Sequence, residues 1–124
     1  MTVLLVVLGA ALGAPLRYLT DRAISARHDS VFPWGTFAVN VAGSFLLGLL
    51  YRGVAAHAVP GAVMTALGTG FCGALTTYST FGYETVRLLE DGSRFYAVAN
   101  VVASVVAGLG AAFTGAAVAA AIWR

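Results

Sequence analysis

The run from Ala62 to Leu89 is the part of this chain that admits the fewest folds. It is long and apolar enough to cross a bilayer. Its centre, however, reads Gly68-Thr-Gly-Phe-Cys-Gly-Ala-Leu-Thr-Thr-Tyr-Ser-Thr-Phe81. Glycine costs about 1 kcal/mol relative to alanine inside a helix, and Ser and Thr offer the backbone competing hydrogen bonds. The stretch therefore predicts a membrane helix broken near its middle. Backbone released from helical bonding at membrane depth is tolerated where protein or a polar cavity satisfies it, so the break predicts a site.

Three other apolar runs accompany it, giving approximate spans of 2–20, 32–51, 62–89 and 95–123 within one domain covering 1–124. Each approaches or exceeds the roughly 20 residues that a spanning helix needs. Composition agrees: 60% of residues are apolar and 10% charged, against about 25% charged in ordinary soluble domains. The expected class is an all-α, multi-pass protein of the cell membrane with four transmembrane helices. Formal charge is +2, every basic residue is Arg, and no basic run exists, which excludes a nucleic-acid footprint. Cys72 stands alone, without a disulfide partner or metal-ligand spacing, and reads as a small packing residue. Met1 to Pro15 lacks the basic start of a signal peptide. Gly9-x-x-x-Gly13 there reads as a close helix-packing face, so the segment is expected to be mature structure.

Polar residues inside the spans carry the functional information. Arg17 ends the first span, just after Pro15; it is either a snorkelling end residue or a charge at a vestibule. The second span runs from Phe32 to Tyr51, with Trp34 near its start and Tyr51 at its end, as aromatic belts do. Thr36, Asn40 and Ser44 fall four apart and share one helical stripe. An unbonded amide facing lipid is costly, so Asn40 points inward, either as interhelical glue or as a donor lining a polar path. The fourth span repeats the pattern with Tyr96, Asn100 and Ser104, continuing to Gly108. Together the stripes read as walls of a narrow hydrophilic track. Glu84 and Arg87 lie towards the far end of the third span; Asp21 to Pro33, expected to be partly helical and interfacial, Arg52 to Pro60 and Glu90 to Arg94 form the connections. His28 and His57 both fall in connections and read as ordinary loop histidines.

Four spans put both termini and Arg52 on one side. The other side holds Arg22, Arg27 and Arg94, with Arg17 and Arg87 at helix ends. The positive-inside rule leans weakly towards termini outside. Such a weak bias suits a chain that inserts in both orientations. Four short helices are also too few to isolate a path alone, which favours an oligomer.

Three segments, Gly9-Ala-Ala-Leu-Gly-Ala-Pro-Leu-Arg-Tyr18, Gly35-Thr-Phe-Ala-Val-Asn-Val-Ala-Gly-Ser-Phe45 and Gly70-Phe-Cys-Gly-Ala-Leu-Thr-Thr-Tyr-Ser-Thr-Phe81, occur in this order. With their spacing and the four-span plan, they make the chain resemble the Fluc (CrcB-like) fluoride channels over essentially its whole length. The resemblance implies an antiparallel, dual-topology dimer with two fluoride pores, formed with a second copy or a paralogous subunit. It implies a structural sodium ion, not transported, held by the backbone carbonyls of Gly73 and Thr76. It places Asn40, Tyr78, Phe81, Asn100 and Ser104 along the fluoride pore, and Arg17 at its vestibule. Glu84 matches the family's acidic residue after the aromatic motif. The neighbouring hydroxyls of Thr77, Ser79 and Thr80 are expected to support the broken backbone. Two departures stand out: Tyr78 replaces a common Phe, and Ala74 a common Gly.

The residues fit that implication on physical grounds. Fluoride is strongly hydrated, and Asn amides and Ser, Thr and Tyr hydroxyls can replace its water. Aromatic rings offer a positive edge to an anion. A series of modest donors admits and releases an ion better than one strong site. The alternative, a small dual-topology exporter of cationic drugs, needs a membrane carboxylate in the first helix, which lacks one. No Ser/His pair, metal-ligand spacing or paired carboxylates falls at membrane depth, so the residues do not point to an enzyme.

Overall fold

The structure is a computed structural model that describes residues 2–27, 32–76 and 79–123. The first helix, α1 (Thr2–Arg27), runs through Pro15 and Arg17 without interruption. A proline inside a helix withholds one hydrogen bond from the carbonyl four residues earlier. The helix nonetheless continues two turns past the apolar run, so Asp21 belongs to α1 and not to a loop. α2 (Trp34–Ala55) follows, starting just after Pro33.

The third membrane-crossing segment is divided. α3 spans 61–75: an α turn at Gly61–Val63, a π-helix over Met64–Cys72, and an α turn at Gly73–Leu75. The Gly73 amide donates both to Gly70 and, five residues back, to Gly68. Thr76 then takes an extended conformation, φ −79° and ψ 162°. The chain resumes as α4 (Ser79–Glu90), and α5 (Arg94–Ile122) closes the fold. The predicted break near the middle of the third segment is present. α1, α2 and α5 each contain a stretch apolar enough to span, with mean hydropathies of 1.8, 1.4 and 2.0. The protein is an all-α, multi-pass membrane protein.

Glycines set how closely these helices approach. A Cβ on Gly9 would collide with the Ala66 carbonyl, and one on Gly70 would stand 2.6 Å from the Val6 carbonyl oxygen. The glycines of α1 thus press directly on the π-helical part of α3. Wide π-turns are uncommon and gather at functional sites; here the backbone of α1 fits against one. A second seam joins α2 to α5, where Gly48 meets the Ala112 carbonyl and Gly115 meets the Phe45 carbonyl. Small residues allow such backbone-to-backbone contact in membranes, where lipid supplies no hydrophobic drive between helices.

The helix ends differ in chemistry. After α2, the Ala58 amide donates to Gly53 at 2.9 Å and the His57 amide to Val54 at 3.0 Å, with His57 at φ 60°. After α4 the same paired pattern occurs around Gly92 at φ 78°. This cap requires a left-handed residue, normally glycine. His57 therefore has a backbone role that its side chain does not announce.

α2 is the central helix: its exposed large hydrophobics are Trp34 and Tyr51, at its two ends. α1 and α5 carry the apolar outer surface, including Leu8, Leu12, Val102, Val106 and Phe113. The glycine seams hold α1 and α5 against the centre, and the break in the third segment opens beside them.

Candidate functional site

Near the α1 end of this assembly a cavity of about 190 Å³ opens between three helices. Arg17 and Asp21 come from α1, Thr36 from α2 and Thr80 from the first turn of α4, with Tyr18 and Val39 completing the lining. Arg17 and Asp21 share a face of α1 because they are four residues apart. Gly35 makes room for Asp21, since a Cβ there would overlap the Asp21 carboxylate. The cavity thus collects one guanidinium, one carboxylate and two hydroxyls at the mouth of the broken segment.

Glu84 lies one turn beyond Thr80. The Thr36 hydroxyl donates to its Oε1, linking α2 to α4. Thr36 is 3% exposed, so a polar group inside the helix packing is satisfied by this bond. Asn40 sits one turn further along α2 and is half-buried.

A second polar chain joins α4 to α5. Asn100 is 1% exposed. Its Nδ2 donates to Thr85 Oγ1 at 2.9 Å, and its Oδ1 accepts from Ser104 at 3.3 Å. Thr85 in turn donates to the Phe81 carbonyl at 2.9 Å. Both ends of the Asn100 amide are therefore used, as burial demands, and the first turn of α4 is tied to α5. The two polar stripes meet further along, where a Cβ on Gly108 would lie 3.6 Å from the Ser44 hydroxyl. Tyr96 instead turns outward and packs edge-on against Phe95, with ring centroids 5.4 Å apart.

At the break, Thr76 bonds back on itself. Its amide and its hydroxyl both donate to the Cys72 carbonyl, at 2.9 and 2.7 Å. Its methyl occupies the space a Cβ on Gly43 would need, so α2 supports the break directly. Gly73 is exposed, with no atom within 4 Å of where its Cβ would be. Phe81 is half-buried in α4 and Ser79 is the first residue of that helix. Thr77 and Tyr78 lie outside the described residues.

The structure thus brings Arg17 and Thr80 to one cavity, with Glu84 bonded to the Thr36 that lines it, and Asn100 and Ser104 to one bonded chain with the Phe81 turn. It adds Thr36, Asp21 and Thr85, none of which the sequence reading selected as site residues. Thr36 had a signal, its place on the Asn40 stripe. Asp21 had one in its spacing from Arg17. Thr85 had none, because its partner is on another helix.

Chemically, the cavity can draw in an anion through Arg17 and offer it hydroxyl donors. The family described as "CrcB-like protein, Camphor Resistance (CrcB)" matches residues 4–116. A protein of Streptomyces avermitilis named "Fluoride-specific ion channel FluC 1" is 60% identical over 123 residues, covering 99% of both chains. A protein of the same name from Frankia casuarinae is 60% identical over 128 residues, again covering 99% of both. One from Nocardia farcinica is 55% identical over 113 residues, 91% of this chain and 77% of its own.

Proposed function

Because the chain belongs to the CrcB-like family, we propose that it is a fluoride-selective channel through which cytoplasmic fluoride leaves down its gradient. The observation that carries this reading is the 60% identity, over 99% of both chains, to a protein named as a fluoride-specific ion channel. Hydrogen fluoride crosses membranes as a neutral acid and ionises inside, so an exit path for the anion lowers its toxicity.

In this reading the fluoride pore runs past Asn40, Tyr78, Phe81, Asn100 and Ser104. Arg17 raises the anion concentration at the vestibule, and Thr77, Ser79, Thr80 and Glu84 support the path. The cavity around Arg17, Thr36 and Thr80 supports that vestibule. Hydroxyl and amide donors replace the ion's water in steps, and ring edges of Tyr78 and Phe81 add weak attraction. No single group binds the ion strongly enough to hold it.

The active assembly is an antiparallel dimer, formed with a second copy or a paralogous chain, and embedded in lipid. A structural sodium ion joins the halves through the carbonyls of Gly73 and Thr76. The local backbone fits such an ion. α3 stops at Leu75 and Thr76 is extended, so the last carbonyls of α3 leave regular helical bonding and carry the negative end of the helix. Unwound carbonyls of this kind suit sodium. Gly73 presents its backbone on an open surface. When bound, the ion supplies positive charge to offset those carbonyls.

Purified protein in liposomes loaded with fluoride, with valinomycin to balance charge, is expected to release fluoride rapidly and chloride little. Equal release of both ions, or none from a folded dimer, overturns the channel. Replacing sodium by a larger monovalent cation is expected to weaken the dimer, measured as its dissociation in detergent; an unchanged dimer removes the ion from the reading.

A further inference from the structure

Thr36 lines the vestibule cavity but has been given no role there, and it is nearly fully buried. Its hydroxyl donates to the Glu84 carboxylate across the α2–α4 contact. The same side chain lines the cavity that holds Arg17. Glu84 is thus a carboxylate next to a cavity whose lining cation is Arg17. Two other charged groups stand near Glu84, Asp21 and Arg87. Arg87 is largely exposed and also pairs with Asp91, at 3.9 Å, so it competes weakly for Glu84. Asp21 repels it. Without the Thr36 hydroxyl this carboxylate loses its bond to α2, and the cavity that Thr36 lines holds the Arg17 guanidinium.

A shift of Glu84 towards Arg17 would have a cost for an anion path. Arg17 already shares its helix face with Asp21, and a second carboxylate would cancel the charge that attracts an anion. A hydroxyl is suited to prevent this, because it bonds the carboxylate without adding charge of its own. We propose that Thr36 is a positioning residue for permeation: its hydroxyl ties Glu84 to α2 and so leaves the charge of Arg17 free for the incoming anion. This inference rests on the channel reading given above.

The test is a double-mutant cycle on fluoride release from liposomes, with Thr36→Val made in the unsubstituted protein and in the Glu84→Gln background. Valine matches threonine in shape and removes the hydroxyl. Neighbours that act through one another show coupling; Thr36→Val should therefore slow release about fivefold when Glu84 carries its charge, and less than about twofold in the Glu84→Gln background. Thr36→Ser keeps the hydroxyl and should restore most of the rate. Equal loss in both backgrounds, or a Thr36→Ser protein as slow as Thr36→Val, overturns the inference and leaves the channel standing. If Thr36→Val does not give a folded dimer, Thr36→Ala provides the same comparison with a smaller side chain. If the unsubstituted, folded protein releases no fluoride, the channel reading falls and this inference with it.

Discussion

α2 and α5 carry the same pattern, a polar residue at every fourth position, and place it in different surroundings. On α5 Asn100 turns inward into the helix packing while Tyr96 faces outward. Asn100 is sealed between α4 and α5, and its amide is used at both ends. On α2 the pattern borders space. Thr36 lines the cavity with Arg17 and Thr80, and Asn40 remains half-buried one turn on. Spacing alone says that polar groups share a face. What that face meets decides whether they serve as struts or as a lining. The bonded chain from Ser104 through Asn100 and Thr85 to the Phe81 carbonyl ties the first turn of α4 to α5, so the α5 stripe reaches Phe81 through its backbone.

The sharpest separation of the two stripes comes from charge. Asn40→Asp puts a carboxylate on the lining stripe while keeping side-chain size. A like charge at about 4 Å costs about 4 kcal/mol at an effective dielectric of 20, enough to slow fluoride release by more than about a hundredfold. The loss of release should exceed any change in melting temperature, because Asn40 is half-buried and the new group is the same size. A channel that conducts normally with Asn40→Asp removes this residue from the path and breaks the contrast. Asn100→Leu should behave differently. It removes the link to Thr85 and the support of Ser104, and a buried interhelical bond in a membrane is worth about 0.6–2 kcal/mol. A fall in melting temperature should therefore accompany a fall in fluoride release. A loss of release with full stability would instead place the Asn100 amide in the pore as a lining group like Asn40.

Much of the fold was legible before its geometry was known, for a local reason. Hydropathy over each run reports the membrane crossings, and glycines with clustered hydroxyls report the weak point at Thr76. What escaped depends on partners distant in sequence. The π-helix of α3 fits the glycines of α1, which composition cannot register. The exact extent of α1, to Arg27, was not legible, because polar residues past a membrane edge carry no apolar pattern to mark where helical bonding ends. At the site, Arg17, Thr80 and Glu84 were legible as polar groups at membrane depth, but the link from Glu84 to the cavity depends on its bond to Thr36. Thr85 was invisible, since a threonine inside a helix usually bonds its own backbone. It does so here, to Phe81, and accepts from Asn100 as well.

Ser104 tests how far the strut extends along α5. Its bond to Asn100 is 3.3 Å long, beyond the usual range for a hydroxyl donor, so it adds little to the tether. Ser104→Ala should lower stability by less than about 0.5 kcal/mol, the low end for a net hydrogen bond, because this one is long and lies within α5. A donor along the ion path is a different matter. Losing one of several modest donors should slow fluoride release by about two- to tenfold, since a net hydrogen bond is worth about 0.5–1.5 kcal/mol. The two readouts therefore part company: melting barely moves while release falls. If release is also unchanged, Ser104 belongs to neither function, and the lined part of the track ends on α2. If melting falls as far as with Asn100→Leu, the weak contact is a working part of the strut, and the difference between the two stripes is wider than their spacing suggests.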